Sequence, residues 1–192
     1  MSRQRLGLPE SKLLIGTAGA VSVERGIKTL FQAFEKLSSK RNNLCLVLAG
    51  RLDQRLPIPT NGKVRYMGEL PQCDVGHLFN ALDVGVVSNR RNQFAEFCFP
   101  QKFYEMIACR LPVVAADVGV MRRLLAGYEN CLYEPERADS LADAIEKQLD
   151  RPKVLDISVP AWKDRGEDFQ LLLEEVLMKS HSVNLSPNVA GR

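Results

Sequence analysis

A cation and an acid one helical turn apart, Lys102 and Glu105, follow a proline in the run Phe99-Pro100-Gln101-Lys102-Phe103-Tyr104-Glu105-Met106-Ile107-Ala108. The run reads as a helix entered through Pro100, since a proline's missing N–H would be unpaired at the first helical position anyway. Phe99 has no side-chain oxygen with which to cap the free N–H groups of the first turn. An uncapped helix start beside a cation suits an anion, and Glu105 can accept hydrogen bonds from sugar hydroxyls. The same pair also fits the solvated face of an ordinary amphipathic helix. A second candidate is Arg25, which follows the small-residue loop Gly16-Thr17-Ala18-Gly19-Ala20 and reads as first-turn helix. A guanidinium there can hold a diphosphate in bidentate fashion, or pair with Glu24 as a plain surface residue.

These groups matter only if the fold gathers them. Leu13-Leu14-Ile15-Gly16-Thr17 and Leu44-Cys45-Leu46-Val47-Leu48-Ala49-Gly50 read as buried strands, with a weaker strand at 64–68 and others at 84–88, 113–116 and 131–133. Between them, helical periodicity marks 23–39 (capped by Ser22), 74–82, 120–126 and 140–149. The stretches 51–62 and 89–93 read as loops. Strands alternating with helices predict an α/β fold, a Rossmann-like parallel sheet with helices on both faces. A long carboxyl-terminal helix carrying Trp162, Phe169, Leu172, Leu173 and Val176 follows, with no strand after it. The organisation expected is a linker-like segment at 1–12, a Rossmann-like domain at 13–180 and a disordered tail at 181–192. In an open parallel sheet, ligands bind beyond the carboxyl ends of the strands where strand order reverses. That places the loops at 16–25, 51, 88–99 and 116–119 in one neighbourhood.

Composition removes several classes. The 192 residues are 45% hydrophobic and 26% charged, as in ordinary globular proteins. A net charge of +3 with scattered basic residues gives no argument for nucleic acid as a partner. No apolar run reaches membrane-spanning length and the polar start is not a signal peptide. The five cysteines form no C-x-x-C pair and the two histidines lie far apart, so no metal is expected. Reduced thiols in a cytoplasmic protein follow. The dinucleotide fingerprint G-x-G-x-x-G is absent, and Arg51 stands after Gly50 where an acid would bind ribose, which disfavours a nicotinamide dehydrogenase.

The order of motifs resembles the carboxyl-terminal, donor-binding domain of a retaining group 1 glycosyltransferase of GT-B fold. The matching pieces begin with Leu6-Gly7-Leu8-Pro9-Glu10, Gly19-Ala20-Val21-Ser22-Val23-Glu24-Arg25-Gly26-Ile27 and Leu46-Val47-Leu48-Ala49-Gly50. They continue with Val64-Arg65-Tyr66-Met67-Gly68-Glu69-Leu70, Ala81-Leu82-Asp83-Val84-Gly85, the Pro-x-Lys-x-x-Glu-Met-x-Ala helix and Pro112-Val113-Val114-Ala115. Asn130-Cys131-Leu132-Tyr133-Glu134-Pro135 and Leu141-Ala142-Asp143-Ala144-Ile145 close the series. The resemblance implies a nucleotide-diphosphate sugar as substrate, with no further cofactor. Its diphosphate would lie on Gly19, Ala20, Arg25, Pro100, Gln101 and Lys102, its ribose on Glu105, and its base against Gly68, Glu69 and Leu70. No catalytic residue is implied. The reaction would move a hexose to a saccharide or lipid-linked acceptor with retention of configuration. It needs an amino-terminal acceptor domain, in the same chain or another, without which this domain should not turn over.

Two positions depart from the family pattern. The first acid of its E-x7-E motif falls at Phe97, with Glu96 one residue off, and the arginine often found after the first loop's glycine is Ala20. Lys102 would then carry part of the phosphate charge. The alternative is a non-catalytic nucleotide-binding or interaction module of the same fold. For the full enzyme the resemblance implies a cytoplasmic location with peripheral association at the inner face of a membrane.

Overall fold

The computed structural model describes residues 1–159 and 161–183, which form two compact units divided between Ile157 and Ser158. In the first unit, strands β1 (Leu13–Ala18), β2 (Leu44–Ala49), β3 (Val64–Tyr66), β4 (Val84–Val87), β5 (Val113–Ala116) and β6 (Leu132–Tyr133) make one sheet. Every ladder is parallel and the spatial order is β3-β2-β1-β4-β5-β6. The apolar runs are strands because both of their faces are covered: every residue of β2, β4 and β5 is buried.

One face is covered by α2 (Ile27–Lys40) and α7 (Ala138–Asp150), which pack against each other. Ile27, Leu30, Phe34 and Leu37 form the inner stripe of α2, and Leu141, Ala144 and Ile145 that of α7. On the other face, Leu78 and Phe79 of α3 (Gln72–Ala81) and Phe103, Met106 and Ile107 of α5 (Gln101–Ala108) bury with Met121 of α6 (Gly119–Leu124). A five-residue helix, α4 (Gln93–Phe97), lies between β4 and α5.

Several elements differ from the sequence expectation. Residues 1–12, expected as a linker-like segment, contain a helix, α1 (Ser2–Arg5), docked on α3. Arg3 holds the segment down: its guanidinium donates to Asp83 Oδ2 at 2.8 Å and to the carbonyls of Ala81 at 2.9 Å and Lys12 at 3.0 Å. Helix α2 starts at Ile27, because Gly26 at φ 72° is its N-cap; Ser22 instead accepts from the Arg25 N–H within the preceding turn. Pro100 is the N-cap of α5, one position before the first helical residue. The loop expected at 89–93 runs into α4, a helix too short to show periodicity in sequence.

The first unit ends at Ile157 rather than 180, since Leu155 and Ile157 are the last residues packed into its core. The second unit carries α8 (Trp162–Val183), along which Trp162, Phe169, Leu172 and Val176 are exposed. Most of the tail expected at 181–192 lies outside the described residues. Among the described residues, no helix is long and apolar enough to cross a membrane.

Gly50 is where the sheet presses hardest on the future site. At φ 121° it brings β2 so close to the first loop that a Cβ would stand 1.9 Å from the Gly19 carbonyl oxygen. Gly50→Ala should therefore cost about 3 kcal/mol or more, from the left-handed backbone and the overlap together. Gly62→Ala, at φ 71° with open space around it, should lose only about 1–2 kcal/mol. Urea midpoints at unchanged slope check the difference.

Candidate functional site

The strand order reverses between β1 and β4, and a cleft of about 310 Å³ opens there at the carboxyl ends of the strands. Ala18, Gly19 and Ala20 leaving β1 form one wall; Val87 and Asn89 leaving β4 form its floor. The start of α5 contributes Pro100, Gln101, Lys102 and Glu105 opposite, with Cys98 just before it, and α3 adds Gln72 and Val75. Arg25 closes the remaining side from the turn before α2.

Several arginines are paired with acids: Arg3 with Asp83, Arg41 with Asp150, Arg55 with Asp53 and Glu24, Arg90 with Glu136 and Arg122 with Asp117. Arg25 and Lys102, the two cations lining the cleft, are not. Among the described residues, no carboxylate lies within ion-pair distance of either. The acid next in sequence to Arg25, Glu24, is drawn away by Arg55 at 2.6 Å. Asp53 completes that ion pair, and Arg55 holds its carboxyl down at about 2.

Lys102 is half-buried and its ammonium lies over Gly19, 3.5 Å from where a Cβ on that glycine would stand. Burial lowers its pKa to about 8, and the charge of Arg25 pushes in the same direction against smaller upward pulls from Cys98 and Glu105. Two cations converging on one concave surface, neither of them in an ion pair with a carboxylate, are electrostatically unsatisfied. A bound polyanion would satisfy them. The guanidinium of Arg25 rests on the ring of Phe94, 4.2 Å from its centroid. Helix α5 begins without any side-chain hydrogen bond to its first turn.

Glu105 lies one turn further along α5, where its Oε1 accepts from Gln101 Nε2 at 3.2 Å. The structure thus brings Gly19, Ala20, Arg25, Pro100, Gln101, Lys102 and Glu105 to one cleft. Gly68, Glu69 and Leu70 are not on its wall. Gly68 accepts from the Gly50 N–H at 2.7 Å, and the loop leads into α3, whose Gln72 and Val75 do line the cleft. Phe97 is 82% exposed at the end of α4. Sequence reasoning placed the loop at 88–99 near the site but singled out neither Asn89 nor Cys98, and it missed Gln72; all three stand at element ends where no periodicity announces a role. Among the described residues, no three His, Cys, Asp or Glu side chains cluster as a metal site would need.

Comparison with known proteins gives a consistent outcome. Residues 12–151 match the family described as Glycosyl transferases group 1. The chain is 28% identical over 177 residues to the protein assigned as teichuronic acid biosynthesis glycosyltransferase TuaC of Bacillus subtilis, covering 88% of this chain and 43% of that one. It therefore spans less than half the length of that relative. Among solved structures, the C-terminal domain of the group 1 glycosyl transferase LpcC from Francisella tularensis superposes with a TM-score of 0.64 at 19% identity, over 80% of this chain and 83% of that domain. Alr3699/HepE of Anabaena in complex with UDP-glucose gives 0.62 at 22% identity, over 77% of this chain and 41% of that one. At these identities the two structures establish the fold.

The electrostatics of the empty cleft can be checked without a ligand. Lys102 should titrate near pH 8, and Arg25→Ala should raise that midpoint toward the ordinary 10.5 by removing a neighbouring positive charge. The Lys102 side-chain resonances, followed by NMR against pH, give both values.

Proposed function

The chain belongs to the group 1 glycosyl transferases, and on that premise we propose that its cleft binds the nucleotide-diphosphate sugar from which a hexose is transferred. The observation that carries this reading is the pair of unneutralised cations, Arg25 and Lys102, facing one cavity at the carboxyl ends of the strands. A diphosphate brings the charge that the pair lacks. Arg25 can bind it bidentately and Lys102 as a point charge from the opposite wall. Glu105 accepts the ribose hydroxyls, its carboxylate being oriented by Gln101. The uncapped start of α5 adds backbone N–H groups and a favourable dipole on the phosphate side.

The base would lie toward Gln72 and Val75, with the loop at 68–70 behind them. The solved complex of the Anabaena protein contains UDP-glucose, which supports a uridine nucleotide as the first candidate. The acceptor, saccharide or lipid-linked, would approach from a second domain in the same or another chain, and transfer with retention of configuration is part of the proposal. Donor binding, by contrast, needs only the residues already gathered here.

Binding of UDP, GDP and ADP by calorimetry tests this directly. One of them should bind, and Arg25→Ala, Lys102→Ala and Glu105→Ala should each weaken it by roughly 10- to 150-fold, the value of one charged hydrogen bond. Affinity depends on the protonated lysine, so it should fall as pH rises through about 8. Lys102→Arg, which stays charged, should remove that fall. Failure of all three nucleotides to bind overturns the donor reading.

A further inference from the structure

Arg25 keeps its place without an acid to hold it, and the structure accounts for this with an aromatic ring. Its backbone is set by the turn at 22–26, in which its N–H donates to Ser22 Oγ at 3.3 Å and Gly26 packs on the backbone of Asn89. The side chain beyond that would be free to sample many rotamers, all of which a bound diphosphate would have to restrict. Instead the guanidinium carbon lies over the face of Phe94, 4.2 Å from the ring centroid. A ring face attracts a cation without neutralising it. A carboxylate would hold Arg25 more strongly, but would compete with the incoming phosphate.

The backbone that carries the ring is held in place although Phe94 itself is 54% exposed. Asn92 Oδ1 accepts from the Ala95 N–H at 2.8 Å and caps α4, and the Ala95 side chain is buried in the core cluster that includes Ile27 and Leu30. From the other side α4 rests on Gly119. At φ 55° that residue has no room for a side chain: a Cβ would stand 2.4 Å from the Ala95 carbonyl oxygen and 2.5 Å from that of Glu96. The exposed half of Phe94 buys no obvious core packing, so its position calls for another reason.

We propose that Phe94 is a positioning residue for nucleotide-diphosphate binding. Its ring pre-orients the Arg25 guanidinium toward the cleft and leaves its charge available to the ligand. This rests on the donor-site reading above. Phe94 acts through Arg25 and makes no contact of its own with the nucleotide.

The test is a double-mutant cycle read by calorimetry with the tightest binder among UDP, GDP and ADP. Phe94→Leu should weaken binding roughly 3- to 30-fold, the range of a partly exposed cation–π contact. Phe94→Tyr should restore it to within about twofold, since that ring has a similar face. In an Arg25→Ala background, Phe94→Leu should change affinity by less than about twofold. The unliganded protein gives an independent readout: the Arg25 side-chain protons should carry a ring-current shift that Phe94→Leu abolishes, with the melting temperature little changed. Unaltered affinity in Phe94→Leu overturns the proposal, as does an equal loss with and without Arg25, which would place Phe94 directly on the ligand. If the wild-type protein binds no nucleotide while the ring-current shift is present, the donor reading fails, and the positioning role fails with it.

Discussion

Two like charges lining one cleft repel each other, and the surrounding structure is what keeps them there. Lys102 reaches its place from a helix packed by Phe103, Met106 and Ile107, so its backbone cannot retreat without opening the core. Arg25 stands on a turn locked by Ser22 and Gly26. The pKa of Lys102 is depressed chiefly by burial, and the repulsion from Arg25 adds to it in the same direction. Such tension is tolerated in a folded protein where a ligand relieves it.

The neighbouring acids are arranged to leave the tension in place. Glu24 is adjacent to Arg25 in sequence, yet it binds Arg55 together with Asp53. Glu105 is near enough to Lys102 to raise its pKa slightly, but its hydrogen bond goes to Gln101. Aromatic contact replaces acid contact at Arg25. An anion entering the cleft therefore meets two cations that do not have to be released from internal partners first.

Backbone economy at the strand ends makes the cleft possible. Gly50 lets β2 lie directly against the carbonyl of Gly19, and the Gly19 amide in turn donates to Ala49 at 3.0 Å. The first loop is thereby pulled toward β2, and the space over Gly19 is left for the Lys102 ammonium. Gly119 does the corresponding service for α4. In both places, tight backbone approach decides where a functional side chain ends up.

Much of this was legible in the residues alone. Buried apolar runs alternating with periodic helices dictate a parallel sheet covered on both faces, because such runs have no other way to satisfy their backbone groups and bury their side chains. The rule that ligands sit where strand order reverses then brought the loops holding Gly19 and Arg25 next to the segment at 88–99 that leads into α5, and the family resemblance added Lys102 and Glu105. Short-range and non-periodic features were not legible. Helix α4, the docking of α1 through Arg3, and the start of α2 at Gly26 depend on single caps and left-handed glycines that no periodicity marks. Whether Arg25 would pair with Glu24 or stand free was open in sequence, because pairing is decided by distance: Arg55, 31 positions from Glu24, reaches it in space. The sequence by itself determined the six strands, the periodic helices and which end of the sheet holds the charge. Tertiary packing alone decided that the charge is left unpaired and that an aromatic ring steadies it, since both follow from contacts between residues far apart in the chain.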